Sequence, residues 1–218
     1  MHTVEGQEKM AFNEQLKAAL AELRKSEKRK FKQTVDLIIN LQKFEVKKNP
    51  LNIFIKIPHK SKDKKIAGFF ESKSDFVDTI TEIDFKKYGD KKKLKSLVKK
   101  YDFFIAQAKL MPKVATTFGR VLGPAGKMPS PQLGIVLNAD EKSINELKEK
   151  INTSLRIRTK EASIKVAVGK EDMKDEEIVE NINSVYNELI KALPRDKENI
   201  KNIEVKFTMT KPVKIKIR

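Results

Sequence analysis

The chain of 218 residues has no cysteine and no tryptophan, and only two histidines and three tyrosines. Lack of cysteine removes disulfides, thiolate metal ligands and a cysteine nucleophile. Without tryptophan and with few tyrosines, a stacking platform for single-stranded nucleic acid is not supported. His2, near the N-terminus, and His59, after Pro58 at a strand end, offer little for general acid–base catalysis. The acidic residues are scattered over lysine-rich stretches, and no pair falls into a shared pocket. No metal-ligand spacing occurs, so no metal, cofactor or catalytic residue is expected. No apolar run exceeds four residues, whereas a spanning helix needs about 20. The first ten residues lack the apolar stretch of a secretory signal, and a cytoplasmic, membrane-free protein is expected.

Positive charge is abundant: 47 Lys and Arg against 30 Asp and Glu give +17 and a pI near 9.8. Such an excess attracts polyanions, and nucleic acid is the commonest one in cytosol. Residues 1–65 and 153–218 together carry +12, and residues 66–152 carry +5. The 39% hydrophobic content is enough for a folded core, and the length exceeds a typical single domain of about 150 residues.

Apolar residues alternate at both chain ends, the period-2 pattern of half-buried strands. Val35, Leu37, Ile39 and Leu41 form one set, and Leu51, Ile53, Ile55 and Ile57 another. Near the C-terminus come Ile164, Val166 and Val168, then Ile203, Val205 and Phe207, then Val213, Ile215 and Ile217 interleaved with Lys214, Lys216 and Arg218. Each end also holds an amphipathic helix, with Phe12, Leu16, Leu20 and Leu23 in one and Ile178, Ile182, Val185, Leu189 and Leu193 in the other. A single sheet burying its apolar face against both helices predicts one discontinuous α+β domain from residues 1–65 and 153–218.

The middle, residues 66–152, reads as an inserted Rossmann-like α/β domain. Strands are expected at 64–70, 102–106 and 133–137, and helices at 90–100, 112–119 and 141–151. Two chain crossings, near residues 61–65 and 152–155, predict a hinge. The turn Gly123-Pro124-Ala125-Gly126-Lys127-Met128 ends in Gly-Lys like a phosphate-cradling loop. It has only two residues between its glycines and Met128 where Ser or Thr is required, so it fails that test. Residues 123–131, with Pro124, Pro129 and Pro131, are instead expected to be a stiff loop poor in donors.

The run Tyr101-Asp-Phe-Phe-Ile-Ala-Gln-Ala-Lys-Leu-Met-Pro112, continuing through Phe118-Gly-Arg-Val-Leu-Gly-Pro-Ala-Gly-Lys-Met-Pro129, resembles the ribosomal protein L-one family, of the mobile stalk of the large ribosomal subunit, in its archaeal or eukaryotic branch. Further matches are Phe31, Thr34-Val35-Asp36, Pro58-His59, Val168-Gly169-Lys170, Glu180-Asn181-Ile182 and Thr208-Met209. The resemblance implies a two-domain structural protein, monomeric outside the ribosome. Its implied roles are to bind stalk ribosomal RNA, assist release of deacylated tRNA from the exit site, and repress translation of its own mRNA through a similar RNA shape.

It also implies RNA contacts at Lys30, Phe31, Thr34 and Asp36, at Thr208, Met209 and Thr210, and at Arg158 and Lys165 on the returning strands. Cations would meet phosphate, hydroxyls a 2′-OH or base edge, and Phe31 and Met209 a ribose or base. Core packing is the ordinary fate of those last two side chains. Gly123, Pro124, Gly126, Lys127, Met128 and Pro129 form the signature loop of the inserted domain. Two departures stand out: Thr210 replaces the family's Gly, and Ala125 replaces its usual Arg. A basic nucleic-acid-processing enzyme and a nonspecific nucleic-acid binder are the competing readings.

Overall fold

The computed structural model describes residues 2–27, 29–74, 76–88, 90–137 and 140–215, with no side-chain description for residues 2–9 and 91. In chain order, α1 (His2–Arg24), β1 (Thr34–Leu41) and β2 (Asn52–Lys56) come first. Then follow β3 (Ile66–Phe69), β4 (Asp78–Ile80), α2 (Glu82–Phe85), α3 (Lys91–Lys100), β5 (Phe103–Gln107), α4 (Met111–Ala125), β6 (Ile135–Val136) and α5 (Glu141–Asn152). The chain ends with β7 (Ser154–Arg158), β8 (Ser163–Lys170), α6 (Asp175–Ala192), β9 (Ile200–Phe207) and β10 (Val213–Ile215). Two compact units result, one from residues 1–62 and 153–218 and the other from residues 63–152. The expected alternation through Lys216, Ile217 and Arg218 lies outside the described residues.

In the first unit an antiparallel sheet runs β10-β9-β1-β8. Alternation makes it two-faced: Val35, Leu37 and Ile39 are fully buried, as are Ile203 and Val205 opposite them. Leu16 and Leu20 of α1 and Ile178, Ile182, Val185 and Leu189 of α6 fill the same core. Each such side chain contributes roughly 1.5–3 kcal/mol when fully buried. The single sheet expected from periodicity is corrected by the structure: among the described residues β2 pairs only with β7, as a separate two-stranded ladder. Equal alternation in every strand cannot say which strands share an edge.

The matched motifs Pro58-His59, Val168-Gly169-Lys170 and Glu180-Asn181-Ile182 meet at one buried amide. Asn181 is fully buried. Its Oδ1 accepts from the His59 N–H at 2.9 Å, and its Nδ2 donates to the His59 carbonyl at 2.9 Å and the Val168 carbonyl at 2.8 Å. This side chain thereby holds the end of the β2 segment onto α6 and β8. His59 Nε2 lies 2.6 Å from Glu180 Oε2 beside it.

The second unit is a parallel sheet in the order β4-β3-β5-β6. Its core includes Phe69, Phe104 and Phe118, with Phe69 and Phe118 ring centroids 4.9 Å apart. Asp90 caps α3, its carboxylate accepting from the Lys92 N–H at 3.0 Å.

The expected helix at 112–119 and stiff loop at 123–131 are also corrected, because α4 continues to Ala125 with Pro124 in its last turn. Val114, Phe118 and Leu122, four residues apart, bury one face of the helix. Gly126 then ends it at φ 70, and the Lys127 N–H reaches the Leu122 carbonyl at 3.0 Å. That left-handed cap is a glycine position.

Replacing Asn181 by Leu should strand three backbone groups and lower the protection of the slowest-exchanging β1 amides by about 3 kcal/mol or more. Asn183→Leu, which breaks only a half-buried side-chain pair with Asn13, should cost less than about 1 kcal/mol. Native-state hydrogen exchange on both variants checks this, and equal small losses would contradict it.

Candidate nucleic-acid interface

Two chain-distant segments close on each other at one end of the four-stranded sheet. The Thr34 N–H donates to Thr208 Oγ1 at 3.0 Å, and the Thr208 N–H donates to the Thr34 carbonyl at 3.1 Å. The Met209 N–H donates to Gln33 Oε1 at 3.1 Å. Gln33 is 1% exposed, so this amide acts as an internal strut between the segment before β1 and the turn after β9. On its other side the Gln33 N–H meets Glu171 Oε2 at 3.2 Å, and the Glu171 N–H returns to the Gln33 carbonyl at 2.9 Å.

Charged groups brace the same corner. Arg24, in the last turn of α1, reaches Asp175 Oδ1 at 2.7 Å and the carbonyls of Glu171 and Met173 at 2.9 and 2.8 Å. Lys32 pairs with Asp172 at 2.7 Å. That hydrogen bond raises the Lys32 pKa and holds the Asp172 carboxyl below its ordinary range. Both partners are exposed, so the pair orders the loop more than it stabilises the fold.

With the backbone so clasped, Phe31 is 52% exposed and Met209 60%. Both positions continue the inward phase of their neighbours, Gln33–Val35–Leu37 and Val205–Phe207, and a strand prolonged through them would bury both. The chain leaves strand geometry before that happens. The turn after Phe207 is held by Thr210, whose Oγ1 accepts from the Phe207 N–H at 2.9 Å. The Thr210 side chain is therefore turned back onto its own turn, leaving the Met209 side chain outward. The Thr208 hydroxyl likewise serves the Thr34 backbone, making Thr208 a residue that positions the turn.

On the sheet face opposite the helices, register aligns the remaining groups in rows. Ala167, Asp36 and Lys206 form one row, and Lys165, Ile38, Glu204 and Lys214 the next. Asp36 and Lys165 thus share the open face with the clasp at its edge. Lys30 is exposed just before it. Arg158 is exposed on a different surface, the β2–β7 ladder, opposite Asn52. Its neighbour on that face, Arg156, lies 5.3 Å over the Phe54 ring.

Burial pushes the Asp36 carboxyl above its ordinary pKa, partly offset by Lys206 across the strand. A half-buried carboxylate whose neighbours do not compensate its desolvation is a cost to the fold, and it leaves an acceptor facing out of the sheet.

The signature loop behaves differently. Lys127 Nζ donates to the carbonyls of Val98 and Tyr101, both at 2.7 Å, capping the carboxyl end of α3. Met128 packs against the core and Pro129 is buried. Gly123 and Pro124 belong to the exposed end of α4, and Gly126 is its cap. The loop's lysine and methionine are structural.

Gln33, Lys206 and Arg24 shape this corner of the fold and were missed by sequence reasoning. Gln33 had a legible signal, since position 33 continues the buried phase of 35, 37, 39 and 41. Lys206 and Arg24 had none, because their partners are set by strand register and by a loop over 140 residues away.

The discontinuous α+β unit, its inserted parallel α/β unit and the lysine-bearing sheet end are those of a basic two-unit protein without a catalytic constellation among the described residues. Comparison with known proteins narrows the class. Residues 23–211 match the Ribosomal protein L1p/L10e family. The chain is 36% identical over 202 residues to "Large ribosomal subunit protein uL1" of Nanoarchaeum equitans, covering 88% of this chain and 95% of that protein. It is 38% identical over 218 residues to the protein of the same name from Thermofilum pendens, covering 94% and 92%, and 35% identical over 199 residues to that of Pyrococcus abyssi, covering 86% and 89%. The chain belongs to the L1p/L10e family. It is a structural ribosomal protein and not an enzyme.

Asp36→Asn should raise the melting temperature at pH 7, because the native state no longer desolvates a charge. A carboxyl with a raised native pKa lowers stability as pH rises through that pKa. The gain should therefore shrink as pH falls, and vanish below the ordinary value of 3.8, where native and unfolded chains are both protonated. Thermal unfolding of both proteins from pH 7 to pH 3 measures it.

Proposed function

We propose that the chain is a structural protein of the large ribosomal subunit that holds the stalk region of ribosomal RNA with the clasped sheet end of its first unit. The observation that carries this is the joint exposure of Phe31 and Met209 beside Lys30, in a fold that has every local opportunity to bury them. Large exposed apolar side chains ringed by cations suit an RNA whose sugar and base edges are open and whose phosphates flank them. Asp36 supplies an acceptor for a 2′-OH or an amino group, which duplex-wide charge attraction alone would not require.

The first unit, residues 1–65 with 153–218, is the RNA-binding domain in this reading, and residues 66–152 the inserted domain. The same surface would bind the protein's own mRNA through a similar shape and so repress its translation. The inserted domain would help deacylated tRNA leave the exit site. The protein would be a cytoplasmic monomer when off the ribosome. Lys165 and Arg158 would meet phosphates at the margins of the footprint.

Titrating the full chain against a stalk RNA fragment and a scrambled duplex at several salt concentrations tests the proposal. Phe31→Ala and Met209→Ala should each weaken stalk binding by about 1–3 kcal/mol, roughly 5- to 150-fold. Neither should change the melting temperature or the duplex affinity. Lys30→Ala should weaken both RNAs alike and lower the salt slope by about one. Equal losses on both RNAs for Phe31→Ala would remove the readout role.

A further inference from the structure

The second unit contains a cavity of about 650 Å³ that the clasped surface does not explain. It opens at the amino ends of β3 and β4 and beside the last turn of α3, and five lysines line it: Lys64, Lys65, Lys73, Lys100 and Lys148. Its size lies within the usual range of ligand sites, about 300–1,000 Å³.

Part of its charge is engaged within the protein. Lys64 Nζ donates to the Ile151 carbonyl at 2.6 Å, and Lys100 lies 3.9 Å from Asp78. Asp78 is the one carboxylate among the described lining residues, and it also accepts from the Tyr101 hydroxyl at 2.6 Å. Burial and Asp78 together keep that hydroxyl protonated, so it remains a donor. At the carboxyl end of α3, Lys127 offsets part of the local negative charge by donating to the Val98 and Tyr101 carbonyls. Among the described residues, Lys65, Lys73 and Lys148 have no ion-pair partner.

An aromatic ring completes the site. Phe76, on the loop between β3 and β4, is 41% exposed and lines the cavity. Its loop is tied down at Thr79, whose Oγ1 accepts from the Ser74 N–H at 3.1 Å and lies 3.1 Å from the Val77 carbonyl. The ring is thus presented beside ammonium groups that have no ion-pair partner among the described residues.

We propose that this cavity takes one nucleotide of single-stranded RNA, with its phosphate among Lys65, Lys73 and Lys148 and its base on the face of Phe76. Aromatic stacking beside lysines holds single strands with little base preference; the scarcity of Trp and Tyr argues against an extended platform, whereas one nucleotide needs only the single Phe76 ring. A bound dinucleotide cofactor fits the place poorly. Parallel sheets bind such ligands at the carboxyl ends of their strands, with a glycine-rich turn before a helix, and this cavity lies at the amino ends. The proposal does not rest on the first unit's RNA surface.

The test is a TROSY NMR titration of the ¹⁵N-labelled full chain with 5′-phosphorylated tetrauridylate and, separately, with inorganic pyrophosphate. The tetranucleotide should shift the amides of Ser74, Phe76 and Thr79 saturably. Lys73→Ala/Lys148→Ala should weaken that response at least about tenfold. Phe76→Ala should weaken it about fivefold or more while leaving pyrophosphate binding unchanged, and Phe76→Tyr should restore it. If pyrophosphate shifts the same amides equally and Phe76→Ala changes nothing, the cavity is a plain anion patch and the proposal fails. It fails too if these amides stay still while those of β1 and β9 move. Stalk-RNA affinity of the lysine double variant should equal that of the unaltered chain, which separates failure here from failure of the first unit's role.

Discussion

The first unit depends on the hydrogen bonding of a single strand. β1 lies between β8 and β9 and pairs antiparallel with both, so its backbone groups on either side find partners only in segments more than 120 residues further along. Buried backbone groups left unpaired would each cost a lost hydrogen bond. The sheet therefore cannot be completed until the chain has passed through the whole second unit and returned. Closing so long a loop adds little entropy cost beyond that of a shorter one, because the cost grows only with the logarithm of length.

That return also makes the clasped sheet end proposed to meet RNA. Thr34 and Thr208 exchange backbone and side-chain hydrogen bonds because Val35 and Phe207 are already paired one residue inside. Gln33 then reaches Met209 from a buried position. The same register that buries Val35 and Phe207 thus decides where strand geometry stops, and so which side chains are turned outward. Recognition groups at the ends of a rigid scaffold keep their positions without a binding partner, which lowers the ordering cost of binding.

Much of this was legible. The alternation at 35–41 and 203–207 marked two strands of the sheet and their inward faces, and the helical spacing at 12–23 and 178–193 marked what covers them. The partition of β2 and β7 into their own ladder was not legible, because alternation carries the face of a strand and not its neighbour. Pro124 inside α4 was misread as loop, since three buried apolar residues four apart outweigh one proline in a last turn. Lys127, weighed in sequence as the end of a Gly-Lys turn, instead satisfies the carbonyls of Val98 and Tyr101 where α3 ends. Phe31 and Met209 mislead in the other direction. Their spacing places them in the core, and only the turns that end β1 and β9 bring them out.

Hydrogen–deuterium exchange of the full chain with and without a stalk RNA fragment tests the central claim most directly. RNA should slow exchange most at residues 29–36 and 206–210, including the Met209 amide on Gln33, with weaker protection along the open faces of β8 and β9. Protection confined to residues 63–152, with residues 29–36 and 206–210 unchanged, would contradict the assignment of the RNA surface to the clasped end of the sheet.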